Sequence, residues 1–116
     1  MDTLYAGEAL ITTVSAPLHD IAGERLRNSI RDHVLAGRLN HLIDLRALAE
    51  LDSRSLAALI RALRVVREAG GSVGLIVDQP NFARVLSITG LDRVFPVYKT
   101  DGDALAAVES ARLVPA

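Results

Sequence analysis

The 116-residue sequence predicts an α/β fold with a mixed, mostly parallel sheet of four to five strands and about four helices. Two observations carry that expectation. Short apolar or β-branched runs alternate with longer stretches whose apolar residues recur at helical spacing, as in β-α-β units that feed a parallel sheet. Two of the runs, Leu42-Ile43-Asp44-Leu45 and Val73-Gly74-Leu75-Ile76-Val77, are almost unbroken in apolar character, as strands covered on both faces are.

In chain order, Ala9-Leu10-Ile11-Thr12-Thr13-Val14 is rich in β-branched residues and reads as a strand, with a shorter one expected around Leu4 and Tyr5. Pro17 ends it. Beyond His19 and Asp20, the residues Ala22, Leu26, Ile30 and Val34 mark an amphipathic helix that closes near Gly37. After the internal run at Leu42, a second helix begins at Ser53, its apolar stripe made of Leu56, Leu59, Ile60, Leu63 and Val66. Gly70-Gly71 stops it, with Gly70 as a left-handed cap. Pro80, just past the Val73 run, suits the first turn of a third helix carrying Phe82, Val85, Leu86 and Thr89. Gly90 and Leu91 predict a Schellman stop in which Leu91 packs back on Leu86. A short strand over Val94-Phe95-Pro96-Val97-Tyr98 follows, and Thr100-Asp101-Gly102-Asp103 opens a last helix with Leu105 and Val108.

Composition bounds the function. The length fits one domain over 1–116, and no linker, repeat or low-complexity tract divides it. Half the residues are hydrophobic but only 3% are aromatic, which disfavours readers of single-stranded nucleic acid that stack bases on rings. The formal net charge of −1 gives no global field toward phosphate backbones or anionic lipid. Without cysteine there is no disulfide framework or thiolate nucleophile, and no apolar run is long enough to span a bilayer. The N-terminus lacks the basic and apolar regions of a secretion signal, so a cytoplasmic location is expected.

Residues with catalytic potential are sparse. His19, His33 and His41 show no metal-ligand spacing and read as solvated or loop residues. The glycine-rich stretch at Gly70 precedes a strand, whereas phosphate-cradling loops follow one, and no G-x-S-x-G elbow is present. No cofactor, metal or enzymatic activity is expected. A nucleophilic Ser53 or Ser55 has no obvious base. Arg54, Arg61 and Arg64 read as a solvated helix face in a nearly neutral chain.

The informative segment is Leu45 to Leu56, in which a strand delivers Asp52-Ser53-Arg54-Ser55 to a helix start. Asp52 and Ser53 are ordinary N-cap residue types. With Ala57-Ala58-Leu59-Ile60-Arg61-Ala62-Leu63 and Gly70-Gly71, this stretch resembles the STAS domain, the family of bacterial anti-sigma factor antagonists and sulfate-transporter regulatory domains. That family's signature is an apolar strand, then D-[ST]-[ST]-G-L at a helix start, then a helix ending in a glycine pair. Leu18-His19-Asp20 falls at the family's first loop, and Val85 to Phe95 resembles its L-x-x-x-G-L-x-x-x-F segment. Two departures stand out. Arg54 occupies the position of the hydroxyl that the partner kinase phosphorylates in the antagonists, with Ser55 in place of the following glycine. His19 replaces the first-loop Asp.

The resemblance implies a STAS-like fold and a regulator that binds a protein, most naturally an anti-sigma factor antagonist in a partner-switching pathway. The implied partner is an anti-sigma factor that is a serine kinase with an ATP-binding kinase fold. It also implies partner-contact residues: His19, Asp20, Asp52, Ser53, Arg54, Ser55 and Val85. Any phosphate would fall on Ser55 first and Ser53 second. The alternative is a constitutive, unphosphorylated STAS subunit of a larger assembly, such as a lipid transporter or a stress-signalling scaffold. A monomer or weak dimer is expected, with no nucleic acid partner and no insertion into a membrane.

Overall fold

The computed structural model describes residues 2–113. Strands β1 (Asp2–Ala6) and β2 (Ala9–Thr13) form an antiparallel hairpin; β3 (Asn40–Asp44), β4 (Ser72–Ile76) and β5 (Val97–Tyr98) then add in parallel, giving the order β1-β2-β3-β4-β5. The helices are α1 (Ile21–Leu35), α2 (Ser53–Glu68), α3 (Pro80–Ile88), a single turn α4 (Leu91–Val94) and α5 (Asp101–Leu113). The expected mixed, mostly parallel sheet is what forms, and both apolar runs lie inside it. The ladder runs on beyond β3 and β4, because Leu45 N–H donates to Ile76 O and Val77 N–H to Tyr98 O.

Alternation along the strands sorts the core into two layers. One face of the sheet, with Ile43, Leu45, Leu75 and Val77, packs against Leu26 and Ile30 of α1, Leu59, Leu63 and Val66 of α2, and Phe82 and Leu86 of α3. The other face, with Ala9, Ile11, Leu42 and Ile76, is covered by Ala104 of α5. Among the described residues no helix is long and apolar enough to cross a membrane.

Three expectations are corrected. The segment from Val94 to Tyr98 is not one strand: Val94 closes α4, and only Val97–Tyr98 pairs with β4. The chain spends those residues on a second helical turn after the left-handed Gly90, and Pro96 has no N–H for a ladder. His41 is neither solvated nor in a loop. It is 1% exposed within β3, its Nε2–H donates to Arg38 O at 2.8 Å, and burial pushes its pKa down, which keeps the ring neutral. The buried stripe of α2 is Ser55, Ala58, Leu59, Ala62, Leu63 and Val66, so Leu56 and Ile60 lie at its margin and a serine lies within it.

The glycine pair after α2 divides two tasks. Gly70 has φ of 78°, and its N–H donates to Arg67 O while that of Gly71 donates to Val66 O, a complete Schellman motif. A Cβ on Gly70 would meet nothing within 4 Å, but one on Gly71 would sit 2.4 Å from Leu39 O and 2.8 Å from Val66 Cγ1. Gly70→Ala is therefore expected to cost about 1–2 kcal/mol, from left-handed strain alone. Gly71→Ala must displace backbone and is expected to cost about 3 kcal/mol. Urea midpoints of the two variants check this; equal losses would contradict the steric account.

Candidate functional site

The first loop, between β2 and α1, meets the start of α2 at the C-terminal end of the parallel strands. What joins them is a closed circuit of hydrogen bonds. Leu18 N–H donates to the hydroxyl of Ser55 at 3.0 Å, Ser55 N–H donates to Asp52 Oδ1 at 2.8 Å, and Asp52 Oδ2 pairs with His19 Nε2 at 2.6 Å. His19 is bonded covalently to Leu18, which closes the ring. Ser55 is completely buried, whereas the His19 and Asp52 side chains keep about a third of their surface, 34% each.

Asp52 is the N-cap of α2, as its residue type predicts, and it brings negative charge to the positive end of the helix dipole. Its carboxyl is held at about 2, below the ordinary 3.8, first by the Ser55 amide, then by the Ser55 hydroxyl and, to a smaller extent, by His19. Arg54, a cation in the first turn, is disfavoured by that dipole, but Asp20 compensates: Arg54 Nη2 donates to Asp20 Oδ1 at 2.9 Å. Both side chains are more than half exposed, so the pair is worth at most about 1 kcal/mol. Asp20 reaches it through a strained backbone, φ 49° and ψ −112°, and makes no side-chain cap on α1.

Below the loop, α1 and α2 approach closely. A Cβ on Gly23 would stand 3.0 Å from Ala58 Cβ and 3.1 Å from Leu18 O, so any larger residue would have to push the helices apart by a few tenths of an ångström. Above the contact an open cleft of about 350 Å³ is lined by His19, Asp20, Arg27, Arg54, Ala57 and Arg61, among others. Behind it, the β3–α2 loop is fixed by two side chains. Arg46 forks onto Asp44 with Nε and Nη2 at 3.0 and 2.9 Å, and Gln79 donates through Nε2 to the carbonyls of Leu45 and Leu48 at 2.9 and 3.0 Å. Burial raises the Asp44 pKa, but the Arg46 bonds outweigh it and leave the carboxyl below its ordinary value.

The structure thus gathers His19, Asp20, Asp52, Arg54 and Ser55 into one patch. Ser53 is exposed in the first turn of α2. Val85 is on α3, half-buried, and takes no part in these bonds. Of the two serines expected as phosphate acceptors, Ser55 has its hydroxyl buried and accepting from Leu18 N–H, while Ser53 faces solvent and Asp52 performs the capping. Gln79 and Gly23 escaped the sequence reading. Neither belongs to a motif; each acts through backbone far away in sequence. Among the described residues, no cluster of three or more His, Asp or Glu side chains is placed to hold a metal ion.

Two outcomes are expected of the circuit. Ser55→Ala leaves the buried Leu18 N–H without an acceptor and should cost about 1–3 kcal/mol of stability, read by thermal or urea unfolding. A loss no larger than that of an exposed serine would show that the hydroxyl is not a tie. For Asp52, the folded pKa lies below the unfolded one, so the stability due to its ionisation is present above pH 3.8 and lost as pH falls toward about 2. The stability gap between wild type and Asp52→Asn should shrink across that window; a gap that stays constant would contradict the depressed pKa.

The STAS domain family model matches residues 2–104. A candidate anti-sigma factor antagonist from Thermotoga neapolitana is 37% identical over 68 residues, which span 59% of this chain and 60% of that protein. The crystal structure of an anti-sigma factor antagonist from Mycobacterium paratuberculosis is 28% identical, with a TM-score of 0.75 over 92% of this chain and 91% of that one. A chain of the stressosome, described as a signal integration and transduction hub, shares the fold at 20% identity, with a TM-score of 0.81 over 97% of this chain and all of its own.

Proposed function

The chain belongs to the STAS domain family, and we propose that it is a regulatory binding protein of the anti-sigma factor antagonist type that takes its partner on the first loop and the start of α2. The observation that carries this reading is the double pairing across the two segments, His19 with Asp52 and Asp20 with Arg54, which presents four charged or polar groups on one exposed patch. Ser53 and the half-buried Val85 extend the proposed contact, and Ser55 acts from beneath it. The partner is an anti-sigma factor with a kinase fold, and the setting is the cytoplasm. The chemistry of this reading is recognition, with the His19 imidazole taken up by the Asp52 carboxylate.

Arg54 sets the regulation apart. A phosphate on a helix start would bring roughly −1.5 to −2 charges to the docking patch. Position 54 carries a permanent positive charge instead and offers no hydroxyl. The same observation supports the second reading, a constitutive subunit of a larger assembly such as a stress-signalling scaffold.

Capture of tagged protein from its own cells, with identification of the bound chains, separates the two: an anti-sigma kinase supports the first, scaffold or transporter subunits the second. With the captured partner, Arg54→Glu should weaken binding at least about tenfold, whereas Arg93→Glu, on the α4 turn and outside the cleft lining, stays within about twofold. Incubation with the kinase and ATP should leave the wild type unmodified by mass spectrometry, and Arg54→Ser should gain phosphate. Equal effects of the two charge reversals, or rapid phosphate on Ser53 of the wild type, would overturn this account.

A further inference from the structure

The near-neutral total charge conceals a segregation. Helices α1 and α2 together carry seven arginines against three carboxylates, whereas the whole chain has 13 basic and 14 acidic residues. All seven arginines are exposed. This pair of adjoining helices is therefore electropositive and the remainder of the molecule electronegative.

The valley between the two helices concentrates that charge. Its floor is made of Gly23 and Ala57, which have almost no side chain, and Arg27 stands on the α1 wall while Arg54 and Arg61 stand on the α2 wall. Asp20 and Glu24 are the acidic groups lining it. Asp20 is already bonded to Arg54, and among the described residues the side chains of Arg27, Arg61 and Glu24 make no hydrogen bond or ion pair. Ile21, the first residue of α1 and next in sequence to Asp20, adds an apolar side chain that is 65% exposed.

We propose that this valley docks an acidic segment of the partner protein, with Arg27 and Arg61 as the principal contacts. The inference rests on the partner-binding reading above and names the chemistry of what the partner brings. Three features select an acidic polypeptide. Arg54 and Arg61 are seven residues apart on one helix, about 10.5 Å along its axis, so they match spaced carboxylates better than a single phosphoryl group. Glu24 would face the phosphates of a nucleic acid but can be met by a cation in a protein segment. Arginines beside an exposed aliphatic anchor, over a floor that lets backbone approach, are what protein interfaces favour.

The test is an NMR titration of the ¹⁵N-labelled full chain with a hexaglutamate peptide at low salt, which needs no cellular partner. Amides of Gly23, Arg27, Ala57 and Arg61 should shift saturably, with affinity falling at least about tenfold between about 20 and about 300 mM salt. Arg27→Glu/Arg61→Glu should weaken the peptide at least about tenfold, Arg27→Gln/Arg61→Gln less, and Arg93→Glu within about twofold. Both arginines are exposed, so the variants should keep the dispersed spectrum of the folded chain. No saturable shift, shifts unrelated to the valley, or inorganic phosphate or a DNA duplex binding the same amides as tightly as the peptide would each overturn the proposal. A failed titration leaves the partner-capture experiment standing, and a failed capture leaves the titration interpretable.

Discussion

The buried hydroxyl of Ser55 is the interaction on which the candidate site depends. It is a polar group in the apolar stripe of α2, and such a group is tolerated only if its hydrogen bonds are made. Here it accepts from Leu18 N–H, a donor that the turn away from β2 would otherwise leave orphaned. One bond thus settles two desolvated groups and fixes the height of the first loop against α2. The Asp52 cap and its pairing with His19 can form because that height is set, and the close passage of Gly23 beside Ala58 follows from the same placement.

A second group of bonds braces the patch from behind. The β3–α2 loop has carbonyls that enter neither the sheet nor a helix, and Gln79, reaching from the start of α3, takes those of Leu45 and Leu48. The Arg46 fork on Asp44 holds the same loop at its strand end. A surface ordered before its partner arrives loses less conformational entropy on binding, so these interior ties bear on recognition without touching the partner.

Much of this architecture was legible because it is local. The two apolar runs announced internal strands, Gly70 announced a left-handed cap, and Asp52 announced an N-cap, each by a preference that acts within a few residues. What periodicity did not resolve were outcomes of packing. Ser55 falls on the buried stripe of α2, a placement that its residue type does not announce. His41 looked solvated, although a single bond to Arg38 O lets a neutral imidazole sit in the sheet. The α4 turn was hidden because Val94 and Phe95 look like strand residues and only the chain's re-entry after Gly90 makes them something else. The segregation of charge between the α1/α2 pair and the remainder of the molecule cannot be read from a net charge, since it depends on which helices lie side by side.

The strained Asp20 joins the first loop to the start of α2. At a helix start an aspartate ordinarily turns its carboxylate onto its own helix; this one accepts a backbone cost of about 1–3 kcal/mol and faces Arg54 instead. The exposed pair it forms returns less than that. Strain that a local ion pair does not offset must be held by the surrounding structure, and the Ser55 circuit ends at His19, the residue immediately before Asp20. On the proposed reading, an acidic group of the partner would compete with Asp20 for Arg54, exchanging one exposed ion pair for another. Such an exchange would contribute little net affinity at position 54 but would reject partners that present a cation there, so in this proposal Arg54 governs which partner binds, and Arg27 and Arg61, whose side chains have no partner among the described residues, govern how tightly.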